Sequence, residues 1–209
     1  MLDPTPIVFV VDDDVSVRES LELLIRYEGW RAEIFASATE FLSRQREFVP
    51  SCLILDLSLP GFSGLDLQQR IAGDRTDMPI IFITGHGDVP STVQAMKAGA
   101  VEFLTKPFTD DALLSAVRQA LEQSRIALDQ DAELQKLRAC YESLSVRERQ
   151  VMALVVSGHL NKQVGGELGI SEITVKAHRG RMMEKMKANS FAELVEMAAV
   201  LRLKRTPKI

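Results

Sequence analysis

The 209-residue chain holds two cysteines and one tryptophan, and aromatic residues make up 6% of it. Cys52 and Cys140 lie far apart, with no CxxC pair and no His-rich partner, so neither a disulfide framework nor a zinc site is expected. Both thiols are read as reduced, and Cys52 as a core residue. Long apolar runs are missing too. Runs such as Ile7–Val11 fall far short of the roughly 20 residues a helix needs to cross a bilayer. The N-terminus lacks the basic flank and cleavage pattern of a signal peptide, so the expected location is the cytoplasm, with no membrane partner. Neither Gly nor Pro occurs from Phe108 to Ser157, which predicts one helix running well past the domain in which it starts.

What is present suits a globular protein of two domains: 46% hydrophobic and 26% charged residues. The net charge of -4 hides an asymmetry. Residues 1–128 carry 11 Lys and Arg against 19 Asp and Glu, whereas from Tyr141 onward the count is 12 against 7. An acidic front and a basic back place any nucleic-acid partner on the C-terminal part; two solvated surfaces of unlike charge are the plainer alternative.

Cys52-Leu53-Ile54-Leu55 is too short for a helix and is followed by Pro60-Gly61, so it reads as a buried strand ending on Asp56. A strand-end Asp is also a common turn former or helix cap, so the weight rests on the other strand ends. Ile7–Val11 runs into Asp12-Asp13-Asp14; Ser16 with Glu19 has the form of a capping box, and Val17, Leu21, Leu24 and Ile25 repeat at helical spacing up to Gly29. Residues 31–35 predict a short strand and Ser37 with Glu40 a helix cap. After the strand at Asp56, residues 65–71 predict a helix, 79–83 a strand ending on Thr84, 90–98 a helix, 101–104 a strand followed by Thr105-Lys106-Pro107, and Thr109 the cap of a last helix. Five such units make a doubly wound α/β domain with a five-stranded parallel sheet.

In such a sheet ligands bind beyond the carboxyl ends of the strands. Asp12, Asp13, Asp56, Thr84 and Lys106 would all project there. Clustered carboxylates are costly without a cation, and all-oxygen donors with room for water suit Mg2+. Lys106 and Thr84 offer a fixed cation and a hydroxyl donor to a phosphoryl group, and Asp56 can be its acceptor. Asp14 reads as a helix-start charge.

Residues 5 to about 125 resemble a bacterial response-regulator receiver domain. Ile83-Thr84-Gly85-His86-Gly87-Asp88-Val89-Pro90 and Ala95-Met96-Lys97-Ala98-Gly99-Ala100 resemble its FixJ-type subgroup. The resemblance implies that a sensor histidine kinase phosphorylates Asp56. Asp13 and the Ser58 backbone carbonyl would bind Mg2+ directly, and Asp12 through water. Thr84 and Lys106 would hold the phosphoryl oxygens, Lys106-Pro107 would be cis, and Phe103 would be a switch aromatic; an aromatic in a final strand is otherwise core. His86 and Ser58 flank the path of the hydrolytic water in the family, although a His in a Gly-rich loop is often simply exposed.

Residues 126–141 read as a helical linker, a charged spacer or a weak coiled coil: Leu114, Leu121 and Leu128 keep heptad spacing, but Ser124, Asp129 and Asp131 break the second seam. Beyond it Ser145 with Glu148, Asn161, Ser171, and Ser190 with Glu193 mark four helix starts, and Gly169-Ile170-Ser171 joins the middle pair as a helix-turn-helix. On the third of these helices Val175, Met182 and Met186 share a core face, while Lys176, Gly180, Met183 and Lys187 share another, flanked by Arg179 and Arg181.

Residues 142–204 resemble a LuxR-type DNA-binding domain, through Leu144-Ser145-Val146-Arg147-Glu148-Arg149-Gln150-Val151, Asn161-Lys162, Leu168-Gly169-Ile170-Ser171 and Thr174-Val175-Lys176-Ala177-His178-Arg179. The recognition helix would then span residues 171–187, with Lys176, Ala177 and Gly180 at base-reading positions and Thr174, Arg179, Arg181 and Lys187 as further DNA contacts. Gly165-Gly166 stands where the family usually has Ala, an expected cost of about 1 kcal/mol per Gly in a helix. Together the two resemblances imply a phosphorylation-activated transcription regulator that dimerises, binds double-stranded promoter DNA and meets RNA polymerase. The alternatives are a Mg2+-dependent aspartyl-phosphate phosphohydrolase, which would usually carry Asp where Ser58 stands, and constitutive DNA binding with a silent receiver.

Overall fold

Three apolar runs are buried along their whole length and so become central strands, while two less apolar ones take the sheet edges. The computed structural model describes residues 4–85 and 89–202. In chain order the elements of the first unit are β1 (Ile7–Val11), α1 (Val15–Tyr27), β2 (Arg31–Phe35), α2 (Ala38–Ser43), β3 (Ser51–Asp56), α3 (Gly64–Ile71), β4 (Ile80–Thr84), α4 (Val89–Lys97), β5 (Glu102–Thr105) and the first part of α5 (Asp110–Glu142). The order across the sheet is β2-β1-β3-β4-β5, every pair parallel. Side chains alternate between the faces. Val8, Val10, Ile54 and Ile81 pack under α1 and α5 through Leu21, Ile25, Leu113 and Val117. On the other face Phe9, Leu53, Leu55 and Phe82 meet Phe41 of α2, Leu67 of α3 and Ala95 of α4.

Two helix starts differ from the sequence expectation. Asp14, not Ser16, caps α1: its Oδ1 accepts the N–H of Ser16 at 2.8 Å, and a carboxylate at the N-terminus also meets the helix dipole. At α7 the cap position is Leu160, whose N–H is taken by Gln163 Oε1 at 2.8 Å, so Asn161 lies inside the helix with its side chain turned to another partner. Ser37, Thr109, Ser145, Ser171 and Ser190 cap as expected.

The helix predicted to overrun its domain does so: α5 is continuous over 33 residues. The chain divides into two compact units within it, between Asp129 and Gln130. Ser124, which breaks the heptad pattern, is buried and accepts the Ser51 N–H at the start of β3, at 2.9 Å. No helix among the described residues is long and apolar enough to cross a membrane.

The second unit holds the end of α5, then α6 (Val146–Val156), α7 (Asn161–Leu168), α8 (Glu172–Met186) and α9 (Phe191–Val200). Leu144, Val151, Val155, Val164, Val175, Met182, Met186 and Leu194 form its core. The α7–α8 turn is closed on Gly165, whose carbonyl accepts the N–H groups of Gly169 and Ile170. A Cβ on Gly165 would lie 2.7 Å from the Ile170 carbonyl oxygen, whereas one on Gly166 would meet nothing within 4 Å. Only Gly166 therefore carries the plain helix cost. Gly166→Ala should raise the stability of this unit by about 0.5–1 kcal/mol, and in thermal melts Gly165→Ala should fall below it.

Glu148 is 3% exposed yet charged. Its Oε2 accepts the Ser145 N–H at 2.8 Å and pairs with Lys185 of α8 at 2.7 Å, joining the capping box of α6 to α8. Lys185, together with the Ser145 N–H, holds the Glu148 carboxyl down to about 2. A depressed carboxyl stabilises fully above its unfolded value and loses that contribution as pH falls toward the folded one. Glu148→Gln should cost about 1–2 kcal/mol at neutral pH. In urea titrations its gap to wild type should close as pH drops from 4.5 towards 2.

Candidate functional site

The carboxyl ends of β1, β3, β4 and β5 bring the five predicted residues to one edge of the sheet. Val11 pairs with Leu55, Asp56 with Ile83, and Thr84 with Thr105, so Asp12, Asp56, Thr84 and Lys106 each stand at or one residue past the end of a neighbouring strand. Asp12 and Thr84 are fully buried, Asp56 is 6% exposed and Asp13 is open to solvent. One oxygen from each of Asp12, Asp13 and Asp56 lies within 4.8 Å of the others. Lys106 answers this negative charge: its Nζ donates to Asp12 Oδ2 at 2.6 Å and to Asp56 Oδ2 at 2.7 Å. Burial lifts the Asp12 carboxyl above the ordinary carboxylate range, against its bonds from Lys106 and the Asp14 N–H. Burial also works against the Lys106 charge, but its bonds to Asp12 and Asp56 outweigh that and hold the ammonium above the usual lysine value.

Backbone donors fix the carboxylates. Asp12 Oδ1 accepts the Asp14 N–H and Asp56 Oδ1 the Ser58 N–H, each at 2.8 Å. The Lys106-Pro107 peptide is cis, and the Lys106 N–H donates to the Thr84 carbonyl at 2.7 Å. Three carboxylates around a solvent-facing gap fit a hard divalent cation such as Mg2+, which prefers oxygen donors and keeps waters. Phe103 lies on β5 opposite Phe82, half-buried, with ring centroids 6.3 Å apart. His86 lies outside the described residues.

In the second unit α7, the Gly169-Ile170-Ser171 turn and α8 form the expected helix-turn-helix. Val175, Met182 and Met186 are buried; Lys176, Ala177, Gly180 and Arg181 are exposed on the helix. Lys187 is exposed but sits just past α8 in the left-handed conformation, at φ 56°, so it leaves the helical face on which spacing placed it. Met183, assigned to that same face, packs on the core. Thr174 is half-buried, its Oγ1 2.8 Å from Ser171 Oγ. Arg179 donates to Asn161 Oδ1 at 2.7 Å and lies over the Phe191 ring at 5.3 Å, which ties α8 to α7 and α9. Ile173 is 80% exposed and stands in line with Lys176, Ala177 and Gly180. Its mark in the sequence is an isoleucine one helical turn before Lys176, apolar where the charge pattern gives no sign.

Residues 8–118 match the response regulator receiver domain family, and residues 142–198 match the luxR family of bacterial regulatory proteins. Nodulation protein W of Bradyrhizobium diazoefficiens is 51% identical over 195 residues, covering 93% of this chain and 86% of that protein. Response regulator protein TmoT of Ectopseudomonas mendocina is 46% identical over 202 residues, covering 97% and 92%. Among solved structures, response regulator StyR is similar with a TM-score of 0.82 and 46% identity over 94% of this chain and 99% of that one. Full-length FixJ from B. japonicum is similar with a TM-score of 0.56 and 39% identity over 95% and 98%. With its acidic crevice at the sheet's switch point and a helix-turn-helix downstream, the chain belongs to the two-component response regulators, a receiver domain joined to a LuxR-type DNA-binding domain.

Proposed function

We propose that a phosphoryl group on Asp56 switches this regulator into its DNA-binding dimer. The observation that carries the reading is the Lys106 ammonium lying 2.6 and 2.7 Å from the Asp12 and Asp56 carboxylates with Asp13 alongside, at the mouth of the sheet. An Asp56 oxygen attacks the phosphorus of a sensor kinase's phosphohistidine; the P–O bond forms, the P–N bond breaks, and the imidazole nitrogen leaves with the electron pair. Asp12, Asp13, Asp56 and the Ser58 carbonyl would hold Mg2+, which when bound neutralises charge developing during transfer. Lys106 and the Thr84 hydroxyl take the phosphoryl oxygens, and Thr84, in moving toward them, leaves room for Phe103 to turn inward. The chain catalyses only its own phosphoryl acceptance and loss.

The α4 side chains Val89, Val93 and Met96 are exposed beside β5 and offer a second copy an apolar surface. Dimerisation would set two α8 helices in major grooves about one turn of DNA apart. Lys176, Ala177, Gly180 and Ile173 face base edges, Ile173 suiting a thymine methyl group. Arg181, Lys187 and Thr174 contact phosphates, as does Arg179 with the N–H donors not given to Asn161. The setting is the cytoplasm and the outcome promoter activation through RNA polymerase, as is usual in the family.

Intact mass after incubation with Mg2+ and a small acyl phosphate tests the first step. Wild type should gain one phosphoryl group and Asp56→Asn none; uptake by the variant would move the acceptor elsewhere, and continuous phosphate release from many donors would favour a phosphohydrolase.

A further inference from the structure

We infer that Gln68 is a positioning residue that ties α4 to α3 and sets how readily the chain switches, an inference that rests on the phosphoryl-controlled reading above. Its side chain is buried, at 3% exposure, between the two helices. Nε2 donates to the Ala95 carbonyl of α4 at 3.3 Å, an oxygen that also accepts the Ala100 N–H at 3.1 Å. Oε1, equally buried, has no hydrogen-bond partner among the described residues. One turn earlier α3 is pinned to the acceptor strand: Gly64 N–H donates to the Leu57 carbonyl at 3.0 Å, and a Cβ on Gly64 would lie 2.5 Å from the Asp56 carbonyl oxygen. Thus α3 touches the backbone of Asp56 at its first residue and holds α4 by an amide one turn on.

A buried amide with one end unpaired costs stability that an apolar side chain of similar length would not. What the amide offers in return is its one bond to α4, which an apolar side chain could not make. Beside Gln68 lies a half-open pocket of about 280 Å³, lined also by Ile71, Ile80, Ala98 and Gly99, and a shifted arrangement would carry the C-terminal end of α4 toward this space. The Gln68–Ala95 bond is present in the arrangement where Lys106 holds Asp12 and Asp56. It therefore favours that arrangement over the shifted one, and its loss should enlarge the shifted population about fivefold, the worth of one net hydrogen bond.

The test compares full-length wild type, Gln68→Met, Gln68→Leu and the exposed control Gln69→Met. Dimer association without a donor, the rate of phosphoryl uptake from a small acyl phosphate with Mg2+, and the melting midpoint are measured for each. In both Gln68 variants association and uptake should rise about fivefold, with the midpoint unchanged or higher and the fully phosphorylated dimer as tight as wild type. Unchanged association and uptake, in a series whose wild type phosphorylates and dimerises, would overturn the inference. So would equal changes in Gln69→Met, or changes that track a lowered midpoint. A wild type that takes up no phosphoryl group would overturn both this inference and the reading beneath it.

Discussion

Lys106→Ala should destabilise the receiver unit by about 3–5 kcal/mol when Mg2+ is absent, the usual cost of removing one partner from a buried charge pair. Asp12 and Asp56 are buried, and Lys106 is the cation on both. Without it the two buried carboxylates face each other with its charge no longer between them. Mg2+ should restore more stability to the variant than it adds to wild type, because a cation that binds only the folded state stabilises it, and in wild type it competes with the ammonium for the Asp12 and Asp56 carboxylates. Urea unfolding of the first unit across a Mg2+ titration reads both effects. Equal stability without Mg2+, or an equal response to it, would mean that the Lys106 bonds carry no such weight.

Binding of the phosphorylated dimer to its operator should weaken about a thousandfold between roughly 50 and 200 mM salt, as expected for some six phosphate contacts. Arg179, Arg181 and Lys187 bring three cations per copy to the phosphates, and each contact that neutralises a phosphate releases counterions. The individual residues should then separate. Lys187→Ala should lower the salt slope by about 2 per dimer and leave sequence preference unchanged, since a residue beyond the helix end reaches backbone only. Lys176→Ala should cost about 1–3 kcal/mol and relax preference at one base pair, and Ile173→Ala should act at a thymine with little change in slope. Fluorescence anisotropy over a salt series, on the preferred site and on single-base variants, gives all of these. A flat salt response would rule out groove binding through α8.

The order of elements, the sheet and the cluster at its carboxyl edge were legible because they depend on patterns that one sequence displays: short apolar runs, turn residues behind them, and charge where a run ends. Asp12, Asp56, Thr84 and Lys106 could be brought together from strand ends alone, since a parallel sheet aligns those ends whatever its detailed packing. What stayed hidden depends on three-dimensional choice between near-equivalent partners. Asp14 and Ser16 are both good caps two residues apart, and only the course of the β1–α1 turn selects Asp14. Asn161 is a good cap as well, but Arg179, 18 positions later, claims its side chain. Ser124 looks like a flaw in a heptad until the first N–H of β3 is found on it. The glycine pair in α7 looks uniformly costly until Gly165 meets the Ile170 carbonyl and Gly166 does not. Gln68 gives no sequence signal, because a glutamine on a short helix is ordinarily exposed.

The most direct test of the coupling between the two units is the affinity of the full chain for a DNA site chosen by in vitro selection, measured with and without a small acyl phosphate in the presence of Mg2+, for wild type and for Asp56→Asn. Wild type should bind markedly tighter after treatment, and Asp56→Asn should bind equally in both conditions, at the level of untreated wild type. Equal binding by wild type before and after a phosphoryl uptake verified by mass would contradict the switch and leave DNA binding independent of Asp56.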